Sequence, residues 1–261
     1  MNRAILILFG SIFFLQTVNA KGGDTLHITL PGDFINSWGK AVIFTIKTLA
    51  CDTSVTDIDG NVYPVVKIGS KCWMGSNLKV SRYNNGDSIL ANLDDKRWAY
   101  VSKLQQGGWA YYNNDTANGN IYGKLYNWFS LSDPRKICPA GWHIPSHDEW
   151  RETINLAGES FSNNIIMEQA GKFKETGSAL WYAPNLRASN TTGFSARPGG
   201  YRSAMGLYTG IHSSAYFWTT TINSIEPTET VSAIHIMANT AEFIPCAISK
   251  PAGLSCRCIK D

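Results

Sequence analysis

Short turns rich in glycine and asparagine recur through this chain of 261 residues and interrupt its regular elements. Two polar segments, "NNGDSILANLDD" at 84–95 and "NNDTANGN" at 113–120, separate runs that are rich in aromatic residues. Trp and Tyr favour strands, and strands joined by such turns build sheets. The pattern therefore predicts a loop-rich β or α+β domain rather than a helical bundle.

The first 20 residues have the layout of an export signal. Arg3 supplies a positive charge, "AILILFGSIFFL" is an apolar run, and "VNA", ending at Ala20, fits a small-residue cleavage site. A buried structural helix is the alternative interpretation of this stretch. We expect a signal peptide over 1–20 and an exported mature chain of about 240 residues, which is long enough for one large domain.

The later sequence indicates neither a membrane span nor a nucleic-acid partner. The best candidate span, "AVIFTIKTLA" at 41–50, is too short to cross a bilayer and carries Lys47. The formal net charge is only +3, and the lysines and arginines form no basic stripe. We therefore expect a secreted, periplasmic or cell-surface protein whose main partner is neither nucleic acid nor an anionic membrane.

Six cysteines, an even number, follow the predicted signal. In an oxidising compartment an even count favours disulfides. The spacings contain no Cys-x-x-Cys pair of the kind typical of zinc sites, and spacing alone leaves the disulfide connectivity open. The cysteines are Cys51, Cys72, Cys138, Cys246, Cys256 and Cys258.

Two regions follow the predicted signal. Residues 21–54 contain "DTLHITL" and "KAVIFTIKTL", whose composition and alternation predict strands and hence a short β-rich leader. The main domain is expected over 55–261. Near its start, "VYPVVKI" and "KCWM" flank Gly69-Ser70, which is a good two-residue hairpin turn.

An aromatic segment in the middle of the chain has helical periodicity. In "IYGKLYNWFSL" the positions i, i+3, i+4 and i+7 are Tyr122, Leu125, Tyr126 and Phe129. This spacing predicts one face of a short helix packed against the core, and a stacking platform for sugar is the alternative. Further along, "AYFWTTT" and "VSAIHIMA" have the composition of strands.

The stretch "CPAGWHIPSHDEW" at 138–150 combines a cysteine, two histidines and two acids, as a metal or catalytic cluster would. His143 and His147 are four residues apart, as in a zinc-binding helix. Pro145 lies between them, and a proline inside a helix costs about 3 kcal/mol and disfavours helical geometry in the residue before it. The two imidazoles are therefore not expected to share a helix face. We predict no metal ligand and no catalytic residue here.

The same stretch contains a helix start. Ser146 and Glu149 form the pattern Ser-x-x-Glu, a capping box in which each side chain accepts a hydrogen bond from the other residue's backbone amide. Acids in the positive first turn stabilise a helix further, and Gly158 can end it. We predict a capped amphipathic helix over about 147–157, entered through a proline-containing loop.

Several motifs occur together in order: "TDIDGNVYPVVKIGSKCWMGSNLKV", "YGKLYNW", "CPAGWHIPSHDEW", "GFSARPGGYR", "YFWTTT" and "CRCIKD". Over 55–261 the chain thereby resembles the Fibrobacter succinogenes major paralogous domain, a family of exported bacterial domains common in Bacteroidetes. Three of these blocks are also distantly similar to motifs of formylglycine-generating enzymes, which have a C-type-lectin-like fold. The resemblance implies a loop-rich α+β domain of that kind, whose first and last strands lie close together.

The resemblance also implies one disulfide, and the fold that it implies leads us to predict two more. One joins the two cysteines that fall in the family's usual motif blocks. A second joins two cysteines near opposite chain ends, which this fold would bring together, and a third joins the remaining pair. In this order, the predicted bridges are Cys138–Cys258, Cys72–Cys256 and Cys51–Cys246.

The resemblance implies no catalytic residue and no cofactor. We therefore expect a non-catalytic module, either structural or binding a glycan or another cell-surface protein through its many Trp and Tyr. A copper oxidase related to formylglycine generation is one alternative, and it needs two free, close cysteines. Cys256 and Cys258 are the nearest candidates, but the Cys-x-x-x-x-Cys pattern of those enzymes is absent.

A calcium-dependent lectin is the other alternative. "EPT" at 226–228 is faintly similar to the Glu-Pro-Asn loop of such lectins, but their Trp-Asn-Asp motif is missing. The acidic turn that starts at Asp57 fails as an EF-hand loop, because Val62 and Ile68 stand where glycine and glutamate are required. We therefore predict no calcium site in this turn.

Overall fold

The computed structural model describes the backbone over 5–8, 11–14, 25–28, 44–47, 50–157 and 166–261, and the side chains over 50–157 and 169–261. The chain divides into two units, Met1–Ala50 and Cys51–Asp261. Most of the predicted export signal, including the cleavage site at Ala20, lies outside the described residues and stays a prediction.

The described residues of the first unit form two antiparallel strand pairs. Strand β1 (Ile5–Leu8) pairs with β2 (Ser11–Phe14), and β3 (Thr25–Ile28) pairs with β4 (Phe44–Lys47). The last two strands fall inside the two leader segments that have strand composition.

The second unit is a β-rich α+β fold with few helices. Its strands are β5 (Ser54–Thr56), β6 (Val62–Ile68), β7 (Lys71–Met74), β8 (Trp109–Ala110), β9 (Leu125–Asn127), β10 (Trp142–His143), β11 (Gly199–Arg202), β12 (Tyr208–Ile211), β13 (Ser214–Ile222), β14 (Thr230–Met237), β15 (Phe243–Ser249), β16 (Gly253–Leu254) and β17 (Ile259–Lys260). Its helices are α1 (Asp95–Lys103), α2 (Thr116–Tyr122), α3 (Trp128–Leu131) and α4 (His147–Ala157), with 3-10 turns at Tyr112–Asn114 and Ile166–Lys172. None of the helices in the described part of the chain combines the length and apolar character that a membrane crossing requires.

A five-stranded antiparallel sheet has the order β10-β17-β7-β6-β5, so the last strand of the chain lies beside β7. Ile68 of β6 lies opposite Lys71 of β7, which confirms the predicted turn at Gly69-Ser70. Gly69 has a φ of 59°, and a Cβ atom there would lie 2.5 Å from the Cβ of Leu156 on α4. The turn therefore requires glycine both for its backbone conformation and because a helix packs close to it.

An eight-stranded sheet has the order β15-β14-β13-β11-β16-β9-β8, with β12 paired to β11. Strands β13, β14 and β15 are long antiparallel neighbours, whereas β11 and β13 run parallel. Strands β13 and β14 coincide with the predicted strands "AYFWTTT" and "VSAIHIMA", so both predictions are confirmed.

The predicted helix face from Tyr122 to Phe129 is wrong. Helix α2 ends at Tyr122, and β9 and then α3 follow it. Gly123 has a φ of 79°, outside the helical range, and therefore stops the helix. Leu125 and Tyr126 are buried all the same. The apolar positions in this segment are therefore core positions, but they belong to three short elements.

Aromatic rings connect the two sheets through α4. The ring of Trp150 on α4 lies 4.7 Å from Trp73 of β7, 5.4 Å from Phe194 and 5.5 Å from Phe217 of β13, measured between centroids. All four side chains are almost fully buried. Offset and edge-to-face aromatic contacts at these distances stabilise beyond the burial of apolar area. The capped helix start thus places the Trp150 ring at the centre of the core.

The disulfide Cys138–Cys258 ties the loop before β10 to the residue before β17, across 120 positions of sequence. It is the bridge that the resemblance implies for the two family motif blocks. Strands β10 and β17 are antiparallel neighbours, with Trp142 opposite Lys260. The sheet order therefore brings the two segments together.

The second disulfide joins Cys51 to Cys72, which are 21 residues apart. The predicted bridges Cys72–Cys256 and Cys51–Cys246 are therefore wrong, and Cys246 and Cys256 are free thiols. The antiparallel order β5-β6-β7 returns the chain so that the Cα atoms of Cys51 and Cys72 lie 5.7 Å apart, which is bonding distance. Two disulfides are typical of proteins of oxidising, extracellular compartments.

Candidate functional site

The two histidines of "CPAGWHIPSHDEW" have different surroundings. His143 Nδ1 lies 2.6 Å from Asp261 Oδ1, and its Nε2 lies 3.0 Å from Glu149 Oε1. His147 begins α4, and its backbone amide donates to Thr221 Oγ1 at 2.9 Å. Among the described residues, the group of potential ligands close enough to hold one ion contains neither histidine. His143 instead ties the last residue of the chain to the start of α4.

Glu149 forms the capping box that its spacing from Ser146 predicts. Its amide donates to Ser146 Oγ at 3.2 Å, and the Ser146 amide donates to Glu149 Oε2 at 2.9 Å. Burial alone would raise the pKa of Glu149, but hydrogen bonds from Ser146 and the contact with His143 outweigh burial and lower it. The Glu149 carboxylate therefore bonds to Ser146 and His143 at the start of α4.

Cys256 lies beside the longer-range disulfide. The sulfur atoms of Cys138, Cys256 and Cys258 all lie within 4.8 Å of one another. Burial raises the pKa of Cys256 well above its usual range and that of the other free thiol, Cys246, to about 11. The two cysteines that the copper-oxidase alternative requires, Cys256 and Cys258, are not both free, because Cys258 is bonded to Cys138.

A polar cavity of about 510 Å³ lies between the end of α1, helix α3 and the loops that precede β14 and follow β15. The rings of Trp128 and Phe129 line it, and both are half-buried. Lys250 Nζ lies 5.4 Å from the centroid of the Trp128 ring. Asp133 and Glu229 also line the cavity, so its lining combines aromatic and hydrogen-bonding residues.

A second cavity, of about 310 Å³, shares Gln105 and Asp133 with the first. The Arg135 guanidinium lies 4.0 Å above the Tyr83 ring. The same guanidinium pairs with Asp87 at 2.8 Å and with Asp133 at 2.7 Å. Surface ion pairs of this kind contribute little stability, but they position the arginine at the edge of the cavity.

A third cavity, of about 480 Å³, shares Ser88 with the second. We call the three adjoining cavities together the polar groove. The third cavity contains three cationic side chains, Lys79, Arg82 and Lys124, and one carboxylate, Asp59. Its lining is therefore more basic than that of the other two.

Lys124 occupies the wall of the third cavity between the end of α2 and the start of β9. Its Nζ lies 3.7 Å from the centroid of the Trp109 ring and donates to Ser81 Oγ. Burial lowers the pKa of Lys124 to about 8, although the charges of Asp59 and Asp57 offset part of the effect. A buried ammonium group of this kind favours a negative partner.

The sequence motifs missed Lys124. The residue lies in "IYGKLYNW", which the spacing of the apolar residues assigned to a single helix, and a lysine on such a helix is expected to point to solvent. A usable signal was the isolation of one lysine among aromatic and aliphatic residues on both sides. That composition favours burial of the lysine stem and attraction of its ammonium group to an aromatic face.

These features define a class: disulfide-bonded, β-rich α+β domains with a polar groove. Residues 66–260 match the Fibrobacter succinogenes major domain, and the chain belongs to this family. The match confirms the resemblance carried by the motifs and lies within the predicted domain 55–261. No curated protein and no solved structure matches the chain.

Proposed function

We propose that this protein is an exported, non-catalytic module, secreted or at the cell surface, which binds glycans along the polar groove. The observation that carries the proposal is the groove itself. Three adjoining cavities are lined mainly by hydrogen-bonding groups, with half-buried rings such as Trp128 and Tyr111 among them. A sugar has an apolar ring face that stacks on aromatic side chains and hydroxyl groups that hydrogen-bond to polar ones.

The shape of the groove supports an extended ligand. Gln105 and Asp133 belong to both the first and second cavities, and Ser88 belongs to both the second and third. We therefore propose an extended glycan that contacts all three cavities. Gln105 is exposed and lines both the first and the second cavity, so its amide can bond a sugar hydroxyl in either.

The fold proposal is a C-type-lectin-like arrangement. Its support is that β17, the last strand, lies beside β7, an early strand of the main unit. The motif resemblance implies that the first and last strands lie close together, and β17 shares a sheet with β5, the first strand of the main unit.

A protein ligand is the second proposal for the same groove, because half-buried aromatic residues also anchor protein interfaces. The calcium-lectin and copper-oxidase alternatives have less support. Glu226 and Pro227 lie in an exposed turn, and neither belongs to the polar groove. The oxidase would need Cys258 to leave its disulfide with Cys138.

The test is binding of the exported chain to a panel of soluble polysaccharides, followed by titration calorimetry on those retained. We expect Gln105→Ala and Trp128→Leu each to lower affinity for a bound polysaccharide about tenfold, the size of effect typical of a lost stacking or hydrogen-bonding contact. Trp128→Leu keeps apolar bulk against the core.

The matched control is Tyr182→Ala, which removes a 60%-exposed aromatic ring that lines none of the three cavities. Its affinity should equal that of the unsubstituted chain. Retention of full affinity by both groove variants, with unchanged melting temperatures, would contradict glycan binding in the groove.

A further inference from the structure

The charges in the third cavity do not balance. Asp59 is already engaged, since its Oδ1 accepts from Arg82 Nε at 2.6 Å and its Oδ2 accepts from the Ser81 amide. The nearby Asp57 is buried and accepts from Tyr63 and Asn61. Both carboxylates therefore already accept hydrogen bonds from neighbouring groups of the protein.

Two lysines of this cavity bond only to neutral oxygen atoms in the described part of the chain. Lys79 Nζ donates to the Asn120 carbonyl at 3.0 Å, and Lys124 Nζ donates to Ser81 Oγ. Burial lowers the pKa of Lys79, and the charge of Arg197 lowers it further. Lys79 and Lys124 thus both line one cavity, Lys124 as a buried residue, and neither ammonium group is bonded to a carboxylate in the described part of the chain.

The wall beside the two lysines is aromatic. The Tyr111 ring meets Trp109 edge-on at 5.0 Å between centroids, and Lys124 Nζ lies over both rings. The Tyr111 ring also lies close to Gly119, where a Cβ atom would be only 2.1 Å from the ring. Glycine at this position therefore leaves room for the ring to form a wall of the cavity.

We propose that the third cavity binds the negatively charged group of an acidic sugar, a carboxylate or a sulfate ester. Lys124 and Lys79 bind the charged group, and Tyr111 packs against the sugar ring. The proposal rests on the proposed function, because it assigns one end of the polar groove to an anionic unit of the glycan. Charge-assisted hydrogen bonds from two ammonium groups are stronger than neutral ones and select charged from uncharged sugars.

The test compares three polymers with one backbone: dextran, carboxymethyl dextran and dextran sulfate, titrated into the exported chain at fixed ionic strength. We expect the charged polymers to bind at least about tenfold more tightly than dextran. Lys124→Gln and Lys79→Gln should each remove most of that difference. Lys96→Gln is the matched control, because it removes the same charge from an exposed position outside the groove.

A pH series provides a second measurement that does not depend on a variant folding. The charged form of Lys124 binds the anion, and its pKa is lowered to about 8. Affinity for carboxymethyl dextran should therefore fall by about tenfold or more between pH 7 and pH 9.5, and that for dextran should not change. An affinity for carboxymethyl dextran that does not depend on pH in this range would overturn the role of Lys124.

Monomers separate this proposal from the proposed function. Glucuronate should compete with carboxymethyl dextran more strongly than glucose or inorganic phosphate does. Neutral polysaccharides that bind with no gain from charged groups would overturn the acidic-sugar site and leave the proposed function standing. Glucuronate that binds through Lys124 while no polymer binds would overturn the proposed function and support the site. Phosphate that competes as well as glucuronate would overturn the assignment of the site to a sugar.

Discussion

At the scale of single residues, a buried arginine organises the centre of the main unit. Arg257 donates from Nε to Asn77 Oδ1 at 2.8 Å, from Nη1 to the Met74 carbonyl at 3.2 Å and from Nη2 to the Ser195 carbonyl at 2.8 Å. Its guanidinium lies 3.9 Å from the centroid of the Phe194 ring. Burial lowers the pKa of Arg257 to about 9. The planar guanidinium group thus connects the last segment of the chain by hydrogen bonds to the segment of Met74 and Asn77 and to that of Ser195.

Arg257→Lys should destabilise the protein by about 2–4 kcal/mol, because a single ammonium group leaves several buried carbonyl and amide oxygens without a donor. Guanidinium chloride denaturation with the disulfides intact measures this change. Arg151→Lys, at an exposed position of α4, should alter the free energy of unfolding by less than about 0.5 kcal/mol. Equal stabilities of the two variants would show that the hydrogen bonds of the Arg257 guanidinium group do not contribute to stability.

A second residue-scale prediction concerns His235. The imidazole stacks on Tyr216 at 4.0 Å between centroids, and its Nε2 lies 3.1 Å from Ser214 Oγ. Burial lowers the pKa of His235 to about 4, below the value of 6.5 in the unfolded chain. Between these values the unfolded state binds more protons than the folded state, so stability falls as the pH falls from 6.5 to 4.

His235→Gln should remove this part of the pH dependence, since glutamine does not titrate. Melting temperatures measured between pH 4 and pH 7 should show a shallower slope for the variant than for the unsubstituted chain. Parallel curves would mean that the buried imidazole is not responsible, and that the carboxylates common to both proteins account for the whole slope.

At the scale of elements, local chemistry predicts some boundaries well and others badly. The start of α4 at His147 depends on two side chains three residues apart, those of Ser146 and Glu149. The hairpin of β6 and β7 depends on two turn residues and is equally local. Strand β9 pairs with β8 and β16, which are distant in sequence, so apolar spacing within its own segment predicted a helix instead.

Ser146→Ala should lower the free energy of unfolding by about 1 kcal/mol, because the Glu149 amide loses its acceptor at the first turn of α4. Urea denaturation at neutral pH measures the change, and Ser146→Thr, which keeps a hydroxyl, should recover at least half of it. If the threonine variant is as unstable as the alanine variant, the packing of the Ser146 side chain, rather than its capping hydrogen bond, explains the loss of stability.

At the scale of the whole molecule, the two disulfides constrain very different lengths of chain. Cys51–Cys72 closes a loop of 21 residues, whereas Cys138–Cys258 spans 120 residues. The loss of entropy that a bridge imposes on the unfolded chain grows with the logarithm of the loop length. The longer-range bridge should therefore stabilise the fold more, by about 1.5 kcal/mol in the chain-entropy treatment.

The measurement compares two double variants, Cys138→Ser with Cys258→Ser, and Cys51→Ser with Cys72→Ser, in guanidinium chloride. Replacing both partners of a bridge prevents the free thiol of Cys256 from pairing with a partner left behind. The first double variant should be the less stable of the two. The opposite order would show that native-state packing, rather than loop length, determines the contribution of each bridge.

The order of residues along the chain was enough to predict the β-rich class, the hairpin turn and the capped helix, and to recognise the family motifs. Three features became known only from the folded chain: the pairing of Cys51 with Cys72, the division of "IYGKLYNWFSL" into three elements and the place of Lys124 in the groove. The first group of features depends on hydrogen bonds and backbone preferences over a few residues. The second group depends on strand pairings between distant segments, and the spacing of residues along one segment carries no information about them.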